Sequence, residues 1–171
     1  QDLLIQALQY VKSPVGVIIA GDGGQLKSYQ QLVESLALGH KVRFVGHISE
    51  SQKRLFYARS LAVFFGPFEE DYGYITLEAM LSAKPVITCS DSGGPLEFVI
   101  DQENGFIVEP QAQQIAEKID WLYCNQAKAR ELGFEGVEYV THFFQDKAED
   151  EAYLAEMKKR AADNDIQSLL I

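Results

Sequence analysis

A doubly wound, Rossmann-like α/β domain, with a parallel sheet covered by helices on both faces, is the fold class this sequence predicts. Short β-rich runs alternate with longer stretches of helical periodicity, the runs are apolar enough to be buried on both faces, and each is followed by a helix on a short loop. At 171 residues the chain is long enough for one such domain, which normally takes roughly 100 to 200 residues. Residues 1–171 are therefore expected to form a single domain, with 145–171 its C-terminal helix and tail.

The β-rich runs are Val15 to Ala20, Val42 to Val45, Leu61 to Phe65, Pro85 to Cys89 and Gly105 to Val108. Ahead of the first, Leu3, Leu4, Ala7, Leu8 and Val11 fall at helical spacing, and Leu26, Leu32, Val33, Leu36 and Leu38 do the same between the first and second. Further helices are expected over Glu50 to Ala58, Tyr74 to Ala83, Pro95 to Ile100, Gln111 to Asn125 and about Gln145 to Ala162. The last is polar and acidic, with Ala148, Ala152, Tyr153 and Met157 as its packing residues. Beyond Asp163 the tail should fray, leaving Leu169, Leu170 and Ile171 to dock on something outside the chain. There is no internal repeat.

A formal charge of −10 would repel an extended phosphate backbone, so nucleic acid is not an expected partner. No apolar run reaches the ~18 residues of a membrane span, although the full-length protein could still associate with a membrane peripherally. Cys89 and Cys124 show neither metal-ligand spacing nor a disulfide framework, and no secretory signal is visible, which points to the cytoplasm. Because the chain opens on Gln1 and passes directly into helical periodicity, it is expected to be a piece of a longer protein.

In an open parallel sheet, ligands bind beyond the carboxyl ends of the strands, so chemistry is sought in those loops. Gly21-Asp22-Gly23-Gly24 can face an anion with its amides or be a tight turn before a helix; Leu26 breaks the dinucleotide fingerprint G-x-G-x-x-G. Gly46-His47-Ile48 can read the edge of a planar base or be an ordinary loop. The strongest signal runs from Phe68 through Glu70, Tyr72, Gly73, Tyr74, Ile75 and Glu78 to Met80. There Gly73 lets a ligand approach the backbone, and the following helix start suits a phosphate or sugar hydroxyl. Glu78 is the only charge between Asp71 and Lys84. A carboxylate among apolar side chains needs hydrogen bonds, which vicinal ribose hydroxyls would supply and which pairing with Lys84 would supply equally. Asp91-Ser92-Gly93-Gly94-Pro95 reads as helix initiation.

Taken in order, these segments resemble the C-terminal domain of GT-B glycosyltransferases, specifically glycosyltransferase family four. The resemblance covers about residues 2 to 125 and includes Ile19 to Gly23, Val42 to Gly46, Glu70 to Met80, Lys84 to Ile87, Gly93-Gly94 with Glu97, and Asn104 to Val108. It implies that Glu70 contacts the transferred sugar as the catalytic residue and that Glu78 holds the ribose. It further implies donor contacts from Gly21, from the loop at Gly46 and Ile48 to the base, and from the amides around Tyr72, Gly73, Tyr74 and Ile75 to the sugar and distal phosphate. Ala83 stands where the family usually has glycine, and Tyr74-Ile75-Thr76 replaces its more usual Leu-Pro or Leu-Val step.

The implied activity is that of a retaining hexosyltransferase acting on a UDP- or GDP-sugar, without metal or other cofactor. The resemblance also implies a first strand, two basic residues for the diphosphate and an N-terminal acceptor-binding domain, all expected to lie outside this chain. Without them the isolated chain is expected to be inactive, and the central gap in the sheet to need filling by residues outside this sequence or by another chain. A GT-B nucleotide-sugar epimerase or hydrolase, a dinucleotide-dependent oxidoreductase and a non-catalytic binding module are the competing readings.

Overall fold

The computed structural model of the chain describes residues 1–146 together with 169–170. Its elements are α1 (Asp2–Ala7), β1 (Val17–Ala20), α2 (Leu26–Ser35), β2 (Val42–Gly46), α3 (Glu50–Arg59), β3 (Val63–Phe64), α4 (Tyr74–Leu81) and β4 (Val86–Cys89). A 3-10 turn at Gly94–Glu97 follows, then β5 (Gly105–Val108), α5 (Ala112–Cys124), α6 (Gln126–Asp146) and β6 (Leu169–Leu170). The strands form one six-stranded sheet in the order β2-β1-β6-β3-β4-β5. β1 pairs parallel with β2, and β4 parallel with both β3 and β5.

Alternation along each strand divides the core between two faces. Val17, Ile19, Phe64, Ile87, Phe106 and Val108 join Leu4, Leu8, Ile115, Ile119 and Leu122 in a cluster beneath α1, α2 and α5. On the other face Val63 and Val86 pack with Tyr57, Leu77, Met80 and Val140, so α3, α4 and α6 form the second layer. The doubly wound class is thus as the sequence predicts.

One tie between layers and loops is polar. Asp120 of α5 accepts hydrogen bonds from the Ser13 hydroxyl at 2.6 Å and from the backbone N–H groups of Ser13 at 2.8 Å and Lys12 at 3.0 Å. Burial opposes its charge, but these bonds outweigh it and hold the carboxyl below its ordinary value. A depressed carboxylate stabilises the fold above its unfolded pKa, about 3.9, and loses that contribution as pH falls through its folded value. Asp120→Asn is therefore expected to cost about 1 to 2 kcal/mol at neutral pH. In urea melts the gap between variant and wild type should close as pH falls below about 4; a pH-independent gap would contradict this account.

Three elements differ from the sequence expectation. The helix expected over Pro95 to Ile100 is only the 3-10 turn Gly94–Glu97. Residues 126–144, given no element by the sequence, belong to α6. Gly133 and Gly136 look like breakers, but a side chain at 133 would meet the Ala83 carbonyl oxygen at 2.2 Å and one at 136 would meet Met80 at 3.1 Å, so both glycines are packing residues. The third difference is the sheet's central slot, expected to be filled from outside the chain. β6 fills it, running antiparallel to β1 and β3, with Leu170 opposite Ile18 and Val63 and Leu169 opposite Ile19 and Phe64. The expected helix from about Gln145 to Ala162 lies, but for its first two residues, outside the described residues.

Candidate functional site

Because β1 to β5 point the same way, the loops after β1, β2, β3 and β4 gather at one edge of the sheet. Gly21 and Gly46 meet there: the Gly21 N–H donates to the Gly46 carbonyl at 2.8 Å. From Gly46 the chain passes exposed His47 and half-buried Ile48 to Ser49, which opens α3. The Ser49 hydroxyl accepts from the Gln52 N–H at 3.3 Å, and the Gln52 side chain accepts from the Ser49 N–H at 2.9 Å. This reciprocal capping fixes where α3 begins relative to the loop.

The loop after β3 is bolted to the loop after β4. The Glu69 and Glu70 N–H groups donate to the carbonyls of Asp91 (3.0 Å) and Ser92 (3.1 Å), and the Gly94 N–H donates back to Glu70 at 2.6 Å. Side chains at 93 and 94 would lie 2.6 Å from the Glu70 carbonyl oxygen and 2.7 Å from that of Asp71. The Gly93-Gly94 pair therefore does more than start a turn: it lets the Glu70 backbone seat itself while the residue stays exposed. Gly73 then turns the chain into α4 at φ 65°, a left-handed conformation that favours glycine. No side chain caps α4, so its first N–H groups face the same edge without a competing cap. Ile75 is buried in that first turn, and the Tyr72 and Tyr74 rings stack 5.8 Å apart beside it.

Glu78 lies one turn further along α4, and its partners come from α3. The Lys53 Nζ donates to Glu78 Oε1 at 2.7 Å and the Tyr57 hydroxyl to Oε2 at 3.0 Å. Lys53 is only 5% exposed and also pairs with Glu50 at 2.9 Å. Burial alone would lower the pKa of its ammonium, but the hydrogen bonds and charges of Glu78 and Glu50 more than reverse this and raise it. The pairing of Glu78 with Lys84 is corrected: Lys84 donates instead to the Ala58 carbonyl at 3.1 Å. Sequence reasoning missed Lys53 and Tyr57, although their i, i+4 spacing puts both on one face of α3. The Glu78 side chain keeps 21% exposure, so each oxygen, holding one partner, can still accept another.

Among the described residues no group of three or more His, Cys, Asp or Glu side chains is placed to hold a metal ion, and no helix is long and apolar enough to cross a membrane.

The family model of glycosyl transferases group 1 matches residues 1–138. The human alpha-1,3/1,6-mannosyltransferase ALG2 is 30% identical over 142 residues, covering 78% of this chain and 34% of that protein. Sucrose-phosphate synthase from Thermosynechococcus elongatus superposes with a TM-score of 0.78 at 27% identity, over 94% of this chain and 42% of that one. Anabaena HepE, solved in complex with UDP, superposes with a TM-score of 0.73 at 26% identity, over 90% and 45%; a second HepE structure holds UDP-glucose. The chain spans about a third of the length of such curated relatives.

Proposed function

We propose that this chain, which belongs to the glycosyl transferases group 1 family, is the donor-binding part of a retaining glycosyltransferase that uses a nucleoside diphosphate sugar. The observation that carries the proposal is the placement of Glu78. It is a half-buried carboxylate, fixed from one side by Lys53 and Tyr57, with acceptor capacity left on both oxygens. Vicinal ribose hydroxyls match that capacity. The α4 N-terminus receives the distal phosphate, the seated Glu70 meets the transferred sugar, and Gly21, Gly46 and Ile48 border the base. The UDP and UDP-glucose complexes of HepE support a donor of this class.

In this mechanism the protein positions the donor and stabilises the departing diphosphate, whose oxygen helps to remove the acceptor proton on the same face of the sugar. Metal independence, a cytoplasmic location and an N-terminal acceptor-binding domain belong to the same proposal. With full-length protein and a panel of UDP-, GDP- and ADP-sugars, Glu78→Ala is expected to weaken nucleotide binding about tenfold to a hundredfold, the scale of hydrogen bonds to a charged group. Glu70→Gln should depress kcat while leaving nucleotide affinity nearly unchanged. Equal, small effects from both substitutions would remove the site from this edge, and an inverted anomeric centre in the product, read by NMR, would overturn retention.

A further inference from the structure

We infer that Lys53 is a positioning residue of the donor site, holding the Glu78 carboxylate oriented for the ribose from the helix that begins at the base loop. The inference rests on the proposed role of Glu78 and extends it to residues that no family motif supplied. Lys53 is 5% exposed yet carries a full charge, and its Nζ lies 2.7 Å from Glu78 Oε1 and 2.9 Å from Glu50 Oε1. Such a pair is a poor device for stability, because removing a charge from water costs several kcal/mol and a well-packed apolar residue often does as well or better. Fixing the orientation of Glu78 accounts for a lysine here where stability does not.

The geometry also accounts for what is left over. A carboxylate has about four lone-pair sites. Lys53 takes one on Oε1 and the Tyr57 hydroxyl takes one on Oε2, both from the α3 side. One acceptor site then remains on each oxygen, the complement of a vicinal diol with a hydroxyl for each. The same helix reaches the base loop: the Lys53 N–H donates to the Ser49 carbonyl at 2.8 Å, and Ser49 follows Ile48 directly. Lys53 thereby ties the loop after β2 to the ribose contact on α4, and a shift in one moves the other.

The test is a cycle of protein and ligand changes in the full-length protein, with UDP and GDP and their 2′,3′-dideoxy counterparts as probes. Lys53→Met is expected to weaken binding of the ribonucleotide about tenfold, the lower end for a charge-assisted hydrogen bond. It should leave the dideoxynucleotide within about twofold, since the hydroxyls through which Lys53 acts are gone. Lys53→Arg should recover most of the loss, and Tyr57→Phe should show the same ligand dependence more weakly. In turnover the donor KM should rise with kcat nearly unchanged. Thermal melts identify folded variants, and if Lys53→Met does not fold, Lys53→Arg and Tyr57→Phe carry the cycle. Equal weakening of ribo- and dideoxynucleotides would assign Lys53 a purely structural role and overturn the inference. So would a Glu78→Gln variant that loses affinity beside a Lys53→Met that does not, leaving the reading of Glu78 intact. Unchanged affinity in Glu78→Gln itself would overturn that reading as well.

Discussion

Gly133→Ala is expected to destabilise the domain by about 3 kcal/mol, a drop of about 6 to 12 °C in melting temperature for a protein of this size. In an ordinary exposed helix the same change would stabilise, because alanine is favoured over glycine by about 1 kcal/mol. Here the sign is decided by contact. An added Cβ would stand 2.2 Å from the Ala83 carbonyl oxygen and 2.7 Å from its carbonyl carbon. Those are backbone atoms of the turn between α4 and β4, and no rotamer change relieves them. Ala83 already sits at φ 54°, left-handed for a residue with a side chain, so the turn has little room to move. Because α4 carries Glu78, pushing α6 away should also disturb the proposed donor edge, and if that edge binds nucleotide, affinity for UDP or GDP should fall with stability. Calorimetry on the wild type and Gly133→Ala checks this, with Gly133→Ser as a second probe of the same contact. A melting temperature unchanged or raised would show that α6 does not pack on the α4–β4 turn as described.

The strands were legible because burial on both faces leaves a plain trace: Val86 to Cys89 and Gly105 to Val108 are apolar runs between turn residues, and they appear as β4 and β5. The helix-start signal at Gly73 was equally readable, since a glycine before an apolar run of helical length has a local backbone cause. What the sequence concealed were facts about contact between distant segments. The role of Gly133 depends on a carbonyl fifty positions away. Gly93 and Gly94 read as helix initiation because Pro95 follows them in sequence, whereas the reason for two glycines is the passage of the Glu70 and Asp71 backbone. Along the sequence the nearest cation to Glu78 is Lys84. The structure supplies Lys53 instead, one helix earlier, because α3 and α4 are neighbours in space. Within the site, periodicity and turn chemistry locate the loops, but which charges face one another is fixed only by packing.

Removing residues 169–171 is expected to cost about 2 to 4 kcal/mol, from a handful of backbone hydrogen bonds worth about 1 kcal/mol each. The effect should concentrate at the centre of the sheet. β6 is the only described element joining β1 to β3, since its two residues pair with Ile18 and Ile19 on one side and with Val63 and Phe64 on the other. Without it the sheet divides into β2-β1 and β3-β4-β5, each with a freshly exposed edge of unpaired backbone groups. Antiparallel entry of a strand between parallel neighbours is tolerated in mixed sheets, so direction itself is no obstacle. The consequence for function follows from topology. The loops after β1 and β3 diverge on either side of this slot, which is where ligands bind in a doubly wound fold. Stability and nucleotide affinity should therefore fall together in the truncated chain. Hydrogen exchange at Ile18 and Phe64 is the decisive measurement, because the Val17 and Val63 N–H groups donate away from β6, to the carbonyls of Lys41 and Pro85, which turns the intervening Ile18 and Phe64 towards it: protection there should drop far more than at Thr88, which faces β5 within the intact β4-β5 pair. Equal protection at all three positions, with an unchanged urea midpoint, would mean that β6 does not hold the two halves together.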